Sequence, residues 1–390
     1  MSSVAQSLLH SVNIPLDVCF EVIDWLDYYG DHRDLMSCAL TCSAWLPRAR
    51  YHLYRSVMLY RGLEEYHLFA RTILGSPPLG TLVQSLELSI TFNNSIWDDT
   101  EATDAIFPVE AVHTLTGLRH LSIESYCFEA TYPEVLAFLS RFALATSVTS
   151  LVLASFLSTP AKDIIKFIGL FPNVQELNVV DHFSDDEFDP TLIDHLAPDF
   201  CSKLTKLSLC DNTIDAHFLA VMPDHITSLS LERCNDESSP EDSRANIARF
   251  TKLKSLSLEA IHLDRTDWVA EALSYARCHE LRTLIFQYHW CNCWEFCKVP
   301  MAQQLAEVAR IADIVSREPA FRKLQTFSVS AGIDASIEKD AHVGMAELQR
   351  RFKKGLEDAL QECRNRGIEV KIEAGITSRK KHVEGEGVAE

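Results

Sequence analysis

The chain has 390 residues, 47% of them hydrophobic, and a formal charge of -19. That length and apolar content allow a large core and two or three units, while the negative charge argues against nucleic acid as a main partner, because phosphate backbones require a basic surface. No apolar run approaches the ~18 residues of a membrane span, so no membrane partner is expected. The segment from Met1 to His10 lacks the basic start and long apolar stretch of a signal peptide. Twelve cysteines at irregular intervals then predict reduced thiols and a cytoplasmic and/or nuclear location. Residues 1–80 carry 6 Lys+Arg against 8 Asp+Glu, so -17 of the charge belongs to the remaining 310 residues.

A helical module opens the chain over residues 12–60. Pro15 suits a first helical position, where its missing N–H is not needed. Val18, Cys19, Val22, Ile23 and Leu26 follow as one apolar stripe of helical period. Asp34 is placed to cap a second helix whose stripe is Leu35, Cys38, Ala39 and Cys42. Pro47 can open a third segment carrying Ala49 and Leu53. A module this short buries too little surface to be very stable alone, so its surplus apolar residues are expected to seek a partner.

The pattern Ile14-Pro15, Asp34-Leu35, Leu40-Thr41-Cys42-Ser43 and Trp45 resembles the F-box, whose motif has a Leu-Pro opening, an Asp-Leu pair and Leu-Val-Cys-Arg with a Trp two residues on. Thr41 and Ser43 depart from that motif, and the connection from Asp27 to Arg33 is longer than usual. The resemblance covers about 45 of the 390 residues. It implies docking onto the Skp1 subunit of a cullin-RING ubiquitin ligase, with Ile14, Pro15, Leu16, Val18, Ile23, Leu26, Leu35, Leu40, Cys42 and Trp45 in or beneath the Skp1-facing surface. The alternative is a helical cap on the repeats that follow.

After a linker helix over 61–80, a repeat array runs from 81 to 375. An apolar pattern φ-x-x-φ-x-φ recurs as Val83/Leu86/Leu88, Leu118/Leu121/Ile123, Val148/Leu151/Leu153, Val174/Leu177/Val179 and Leu204/Leu207/Leu209. It continues as Ile226/Leu229/Leu231, Leu253/Leu256/Leu258, Leu281/Leu284/Phe286 and Leu324/Phe327/Val329. The mean period from Leu86 to Leu284 is near 28, with intervals from 22 to 43. Period and pattern resemble leucine-rich repeats, in which each unit adds one strand to a curved parallel sheet and buries its inner side chains against its neighbours. An ordinary set of α/β strands is the rival reading. Helical spacing between strands appears at Pro133–Leu139, Ala161–Leu170 and Met301–Ser316, the last with Leu305, Val308, Ala309 and Ala312 on one face. Leu348, Phe352, Leu356 and Leu360 mark a final helix, and Ile368–Ile372 a last strand that closes the array. Residues 376–390 read as a disordered tail.

Motifs for chemistry are sparse. There is no phosphate loop, nucleophile elbow or H-E-x-x-H pair. Cys278-His279, His289, Cys291, Cys293 and Cys297 could supply four zinc ligands, or be a loop with buried free cysteines. The acidic runs at 98–104, 181–189 and 236–242 read as solvated loops. No cofactor, metal or catalytic residue is expected. The fold class is α/β: a three-helix F-box followed by an irregular leucine-rich-repeat solenoid with a curved parallel sheet, similar to fungal-type F-box/leucine-rich-repeat proteins. The resemblance implies a non-catalytic adaptor that joins Skp1, and through it cullin and RING subunits, to an unknown protein substrate. The rivals are a non-ligase scaffold and, more remotely, an enzyme around the cysteine-rich loop. On the sheet, the third residue after each central apolar position forms a column expected to face outward: Ser89, Glu124, Ala154, Val180, Cys210, Glu232, Glu259, Gln287 and Ser330. Glu124, Glu232, Glu259 and Gln287 are its candidate substrate-binding residues, suited to a Lys- or Arg-bearing segment.

Overall fold

The computed structural model describes residues 15–28, 32–60, 63–90, 107–125, 138, 140–156, 161–180, 199–210, 216–232, 247–260, 267–288, 301–334 and 345–377. They fall into two compact units, residues 1–123 with 137–148, and residues 124–136 with 149–390.

The first unit opens with three helices, α1 (Leu16–Tyr28), α2 (His32–Thr41) and α3 (Leu46–Arg55). Asp34 lies inside the first turn of α2 instead of capping it, where its carboxylate still meets the positive end of the helix. Ile23, Leu35 and Ala49 form the shared core, with Phe20, Leu26, Cys38, Ala39, Trp45 and Leu53 packed around it. Across α1 and α3, Arg48 donates two hydrogen bonds to the Asp24 carboxylate, at 2.6 and 2.5 Å, and His52 Nε2 lies 2.7 Å from the same group.

The sheet begins earlier than the repeat pattern was read. Directly after α3, β1 (Ser56–Leu59) pairs in parallel with β2 (Ser85–Ile90), matching Val57 to Leu86 and Leu59 to Leu88. Tyr54-x-x-Val57-x-Leu59 obeys the repeat spacing. Between these strands, α4 (Leu63–Gly75) and α5 (Pro77–Leu82) fill the expected linker, and α6 (Val109–Thr114) precedes β3 (His120–Ser125), the next strand in order. Close packing at the α5 end needs glycine: a Cβ on Gly117 would press into the Thr81 carbonyl. Phe107, Phe138 and Phe142 stack with Phe69 and Tyr66 at centroid separations of 5.2 to 6.1 Å.

In the second unit β4 (Ser150–Ala154), β5 (Glu176–Val180), β6 (Lys206–Cys210), β7 (Ser228–Glu232) and β8 (Ser255–Ala260) follow one another in parallel. The order continues through β9 (Thr283–Tyr288), β10 (Thr326–Asp334) and β11 (Glu369–Thr377). Within this unit every strand neighbours the next in sequence, the topology of a solenoid built from repeats. All predicted central and final apolar positions of the repeats are buried. The outer segments include α7 (Ala161–Gly169), α8 (Ala216–Val221), α9 (Asp267–Tyr275) and α10 (Met301–Arg317). On α10 the buried face is Val308, Ile311, Ala312 and Val315, whereas Ala309 is exposed, a one-position error in the predicted stripe. The array ends in α11 (Met345–Ala359), α12 (Gln361–Asn365) and β11. Leu348, Phe352, Leu356 and Leu360 are all fully buried, as a terminal cover requires. Residue 377 closes β11; residues 378–390 of the expected tail lie outside the described residues.

Two backbone devices recur. One carbonyl ahead of each strand accepts two consecutive N–H groups of the next repeat: Thr149 from Gln175 and Glu176, Gln175 from Thr205 and Lys206, Thr205 from Thr227 and Ser228, Thr227 from Lys254 and Ser255. A tight turn also leads into the strands, with Val174 N–H donating to Phe171, Leu204 to Cys201, Leu253 to Phe250, Leu281 to Cys278 and Leu324 to Phe321. The accepting residue is a buried anchor three positions before the predicted pattern, occupied by Phe171, Cys201, Phe250, Cys278 and Phe321. The repeat is therefore φ-x-x-φ-x-x-φ-x-φ.

Candidate docking surfaces

Helix α1 carries two apolar stripes, and only one of them is used inside the module. Cys19, Ile23, Phe20 and Leu26 turn inward. Val18, Val22 and Trp25, at i, i+4 and i+7, stay exposed, Trp25 at 61%. On α2 the buried Leu35 sits beside exposed Met36 and Leu40, the latter at 87%. Large exposed apolar side chains concentrated on two short helices mark an interaction surface more than a solvated one.

The residues singled out from the F-box resemblance divide accordingly. Pro15, Leu16, Val18, Leu40 and Cys42 are exposed, Leu26 and Trp45 half-buried, Ile23 and Leu35 in the module's core, and Ile14 lies outside the described residues. Ile23 and Leu35 can shape the surface only from beneath. Val22, Trp25 and Met36 were missed as surface candidates, although the spacings 18/22/25 and 36/40 are both helical. The clamp on Asp24 ties α1 to α3. Arg48's hydrogen bonds hold its carboxyl below the ordinary 3.8, against the opposing effect of burial.

On the second unit's sheet the proposed column is in register: Ala154, Val180, Cys210, Glu232, Glu259, Gln287 and Ser330 pair strand by strand, and Glu373 extends the line. Its exposure differs from the expectation. Glu259 is only 6% exposed and Gln287 half-buried, so an open row of glutamates facing solvent is not what this column presents. Glu124, in β3 of the sequence order, is also half-buried, as is Ser330, while Ser89 is buried. The neighbouring column is short and polar over Asn178, Ser208, Ser230 and Ser257. Ahead of it, Lys206 pairs with Glu176.

Cys278, one of the candidate zinc ligands, is the anchor of the turn into β9, equivalent to Phe250 and Phe321. Burial pushes its thiol up to about 11, and that of Cys201, in the same role, up to about 12. Both fill the apolar position that phenylalanine takes at the other turns. His289, Cys291, Cys293 and Cys297 lie outside the described residues, as do the three acidic runs. Among the described residues no helix is long and apolar enough to cross a membrane.

No protein-family model matches the chain, and no curated protein matches it. A solved structure that aligns with it is the crystal structure of a TLR13–ssRNA13 complex, at 12% identity and a TM-score of 0.30, over 79% of this chain and 35% of that one. The chain thus spans about a third of that protein's length, and the repeat architecture rests on the strand order and register given above.

Proposed function

We propose that this protein is the substrate-recognition adaptor of an SCF-type ubiquitin ligase. Its N-terminal helices would dock a Skp1-like subunit, and its repeat sheet would present a target protein. Catalysis would then belong to the RING subunit and its E2 enzyme, with none in this chain. The observation that carries the reading is the exposed apolar stripe of α1 and α2, on a module whose sequence resembles an F-box and which stands ahead of a solenoid. A protein-interaction solenoid is the coarser statement, and it fits a sheet whose strands each offer polar outward positions.

One observation favours a second reading, in which the three helices only cap the repeats. The chain passes from α3 into β1 without a linker, and β1 is already paired in the sheet. A cap needs α3 and the module's core but not the exposed side chains of α1 and α2. Co-expression with a Skp1-like subunit separates the two. Leu40→Asp and Val22→Asp leave the core untouched and should abolish co-purification, since losing one anchor costs about 2 kcal/mol or more. Undiminished co-purification of both variants would leave the cap reading standing.

A further inference from the structure

The sign of the charge reverses on α11. Residues 345–354 hold Arg350, Arg351, Lys353 and Lys354 against Glu347 alone, a local +3, so the other residues carry -22 of the total -19. All four cations are exposed. They fall at i, i+1, i+3 and i+4 on the side of the helix opposite the buried Leu348, Phe352 and Leu356. Glu347 is shared by Arg350 and Arg351, at 2.7 and 3.3 Å. Lys353 and Lys354 make no ion pair among the described residues.

Like charges one helical turn apart repel each other and weaken the helix that carries them. The 350/353, 350/354 and 351/354 pairs do so, while the opposite-charge spacings 353/357, 354/357 and 354/358 offset part of that cost on a helix that must close the end of the solenoid. The buried stripe holds α11 in place, so the cations are presented from a fixed support. The patch is also small. From Arg350 to Lys354 is four residues of rise, about 6 Å. Beyond it stand exposed Asp358 and Glu362, and on the adjoining strand exposed Glu369 and Glu373.

We propose that this face of α11 binds a short acidic segment of a partner protein. Two or three carboxylates match the patch: Lys353 and Lys354 present point charges, and Arg350 and Arg351, held by Glu347, add to the positive field. A long polyanion would extend over Asp358, Glu362 and the acidic bulk of the chain, and be repelled. The attraction acts over a Debye length of about 8 Å at physiological salt and should weaken steeply as salt rises.

The test uses the full chain and a fluorescein-labelled Gly/Ser peptide carrying three consecutive glutamates, read by anisotropy. Binding is expected at 25 mM salt and is expected to fall at least tenfold by 150 mM. The variant Arg350→Gln/Arg351→Gln/Lys353→Gln/Lys354→Gln should bind at least tenfold more weakly. Lys353→Gln/Lys354→Gln, which disturbs no ion pair, should lose about threefold and guards against misfolding of the fuller variant. Lys162→Gln/Lys252→Gln, exposed cations elsewhere, should bind like the wild type. No binding of the peptide, or equal binding by the Lys353/Lys354 variant, overturns the proposal. Tighter capture of a 20-nucleotide single-stranded DNA through the same four residues would also overturn it, by assigning the face to nucleic acid.

Discussion

Replacing the anchor residue before a strand tests how the repeats are held. Phe250 is fully buried, and its carbonyl accepts the N–H of Leu253 at the entrance to β8. Phe250→Ala removes the ring and leaves a cavity between successive repeats, a loss of about 3–5 kcal/mol. Cys278 has the same position one repeat later, but Cys278→Ala deletes a single sulfur, worth about 1 kcal/mol on the scale of one buried methylene. Repeat arrays couple mainly nearest neighbours, and long ones lose all-or-none unfolding, so a single denaturation midpoint would blur the difference. Native-state hydrogen exchange resolves it. The amides of Lys254 and Ser255, both bonded to the Thr227 carbonyl at 2.8 and 3.0 Å, report on β8 directly. A loss of about 4 kcal/mol corresponds to roughly a thousandfold faster exchange through local opening. In Cys278→Ala, the Arg282 and Thr283 amides, bonded to the Lys254 carbonyl, should accelerate no more than about tenfold. Acceleration below tenfold in Phe250→Ala, or equal effects in the two variants, would refute the anchor as a support of the strand.

The other predictions concern titration and reactivity. Under native labelling with iodoacetamide at pH 8, exposed Cys42 should react well before Cys201 and Cys278, which are buried and have thiols raised to about 12 and about 11. Either anchor cysteine reacting as fast as Cys42 would contradict their role. Asp24 has a folded pKa below 3.8, chiefly through Arg48, so its contribution is present above about pH 4 and is lost as pH falls through the folded value. Trp25 and Trp45 fluorescence should therefore report acid loosening of the helices in the wild type and a shallower change between pH 4 and 2 in Asp24→Asn. Identical profiles would show that the clamp does not hold α1.

The nine predicted repeat patterns are legible because each strand buries alternate side chains on one side, and that period survives sequence divergence. Two things were hidden. β1 fits the same spacing, but Tyr54 and Val57 also fall within the F-box-like pattern, so the first strand lies inside the expected 12–60 module. The anchor before the strands is hidden because its occupants, Phe171, Phe250 and Phe321 in some repeats and Cys201 and Cys278 in others, share burial and a turn bond but neither size nor residue type. Once the turn bond places Cys201 and Cys278 in that series, their scattered spacing needs no other cause. The register of the outward column could be read from the pattern, since it follows from strand alignment. Its exposure could not, because burial such as that of Glu259 is set by tertiary neighbours that the repeat period does not encode.

The apolar run on α1 shows the same limit from the other side. Val18, Cys19, Val22, Ile23 and Leu26 read as one stripe, yet the structure divides it: Cys19, Ile23 and Leu26 turn into the module, and Val18 and Val22 stay exposed. A module of three short helices has one small core, here Ile23, Leu35 and Ala49. Whatever lies beyond it must face water or a partner. Trp25 and Leu40 lie beyond it, and neither contributes to that core. Substituting Leu35 would therefore unfold the module and remove any docking with it, at a cost of about 2–5 kcal/mol for Leu→Ala. Only the exposed stripe can separate binding from folding. That separation is physical: the same helix spends one stripe on its own stability and keeps the other for association.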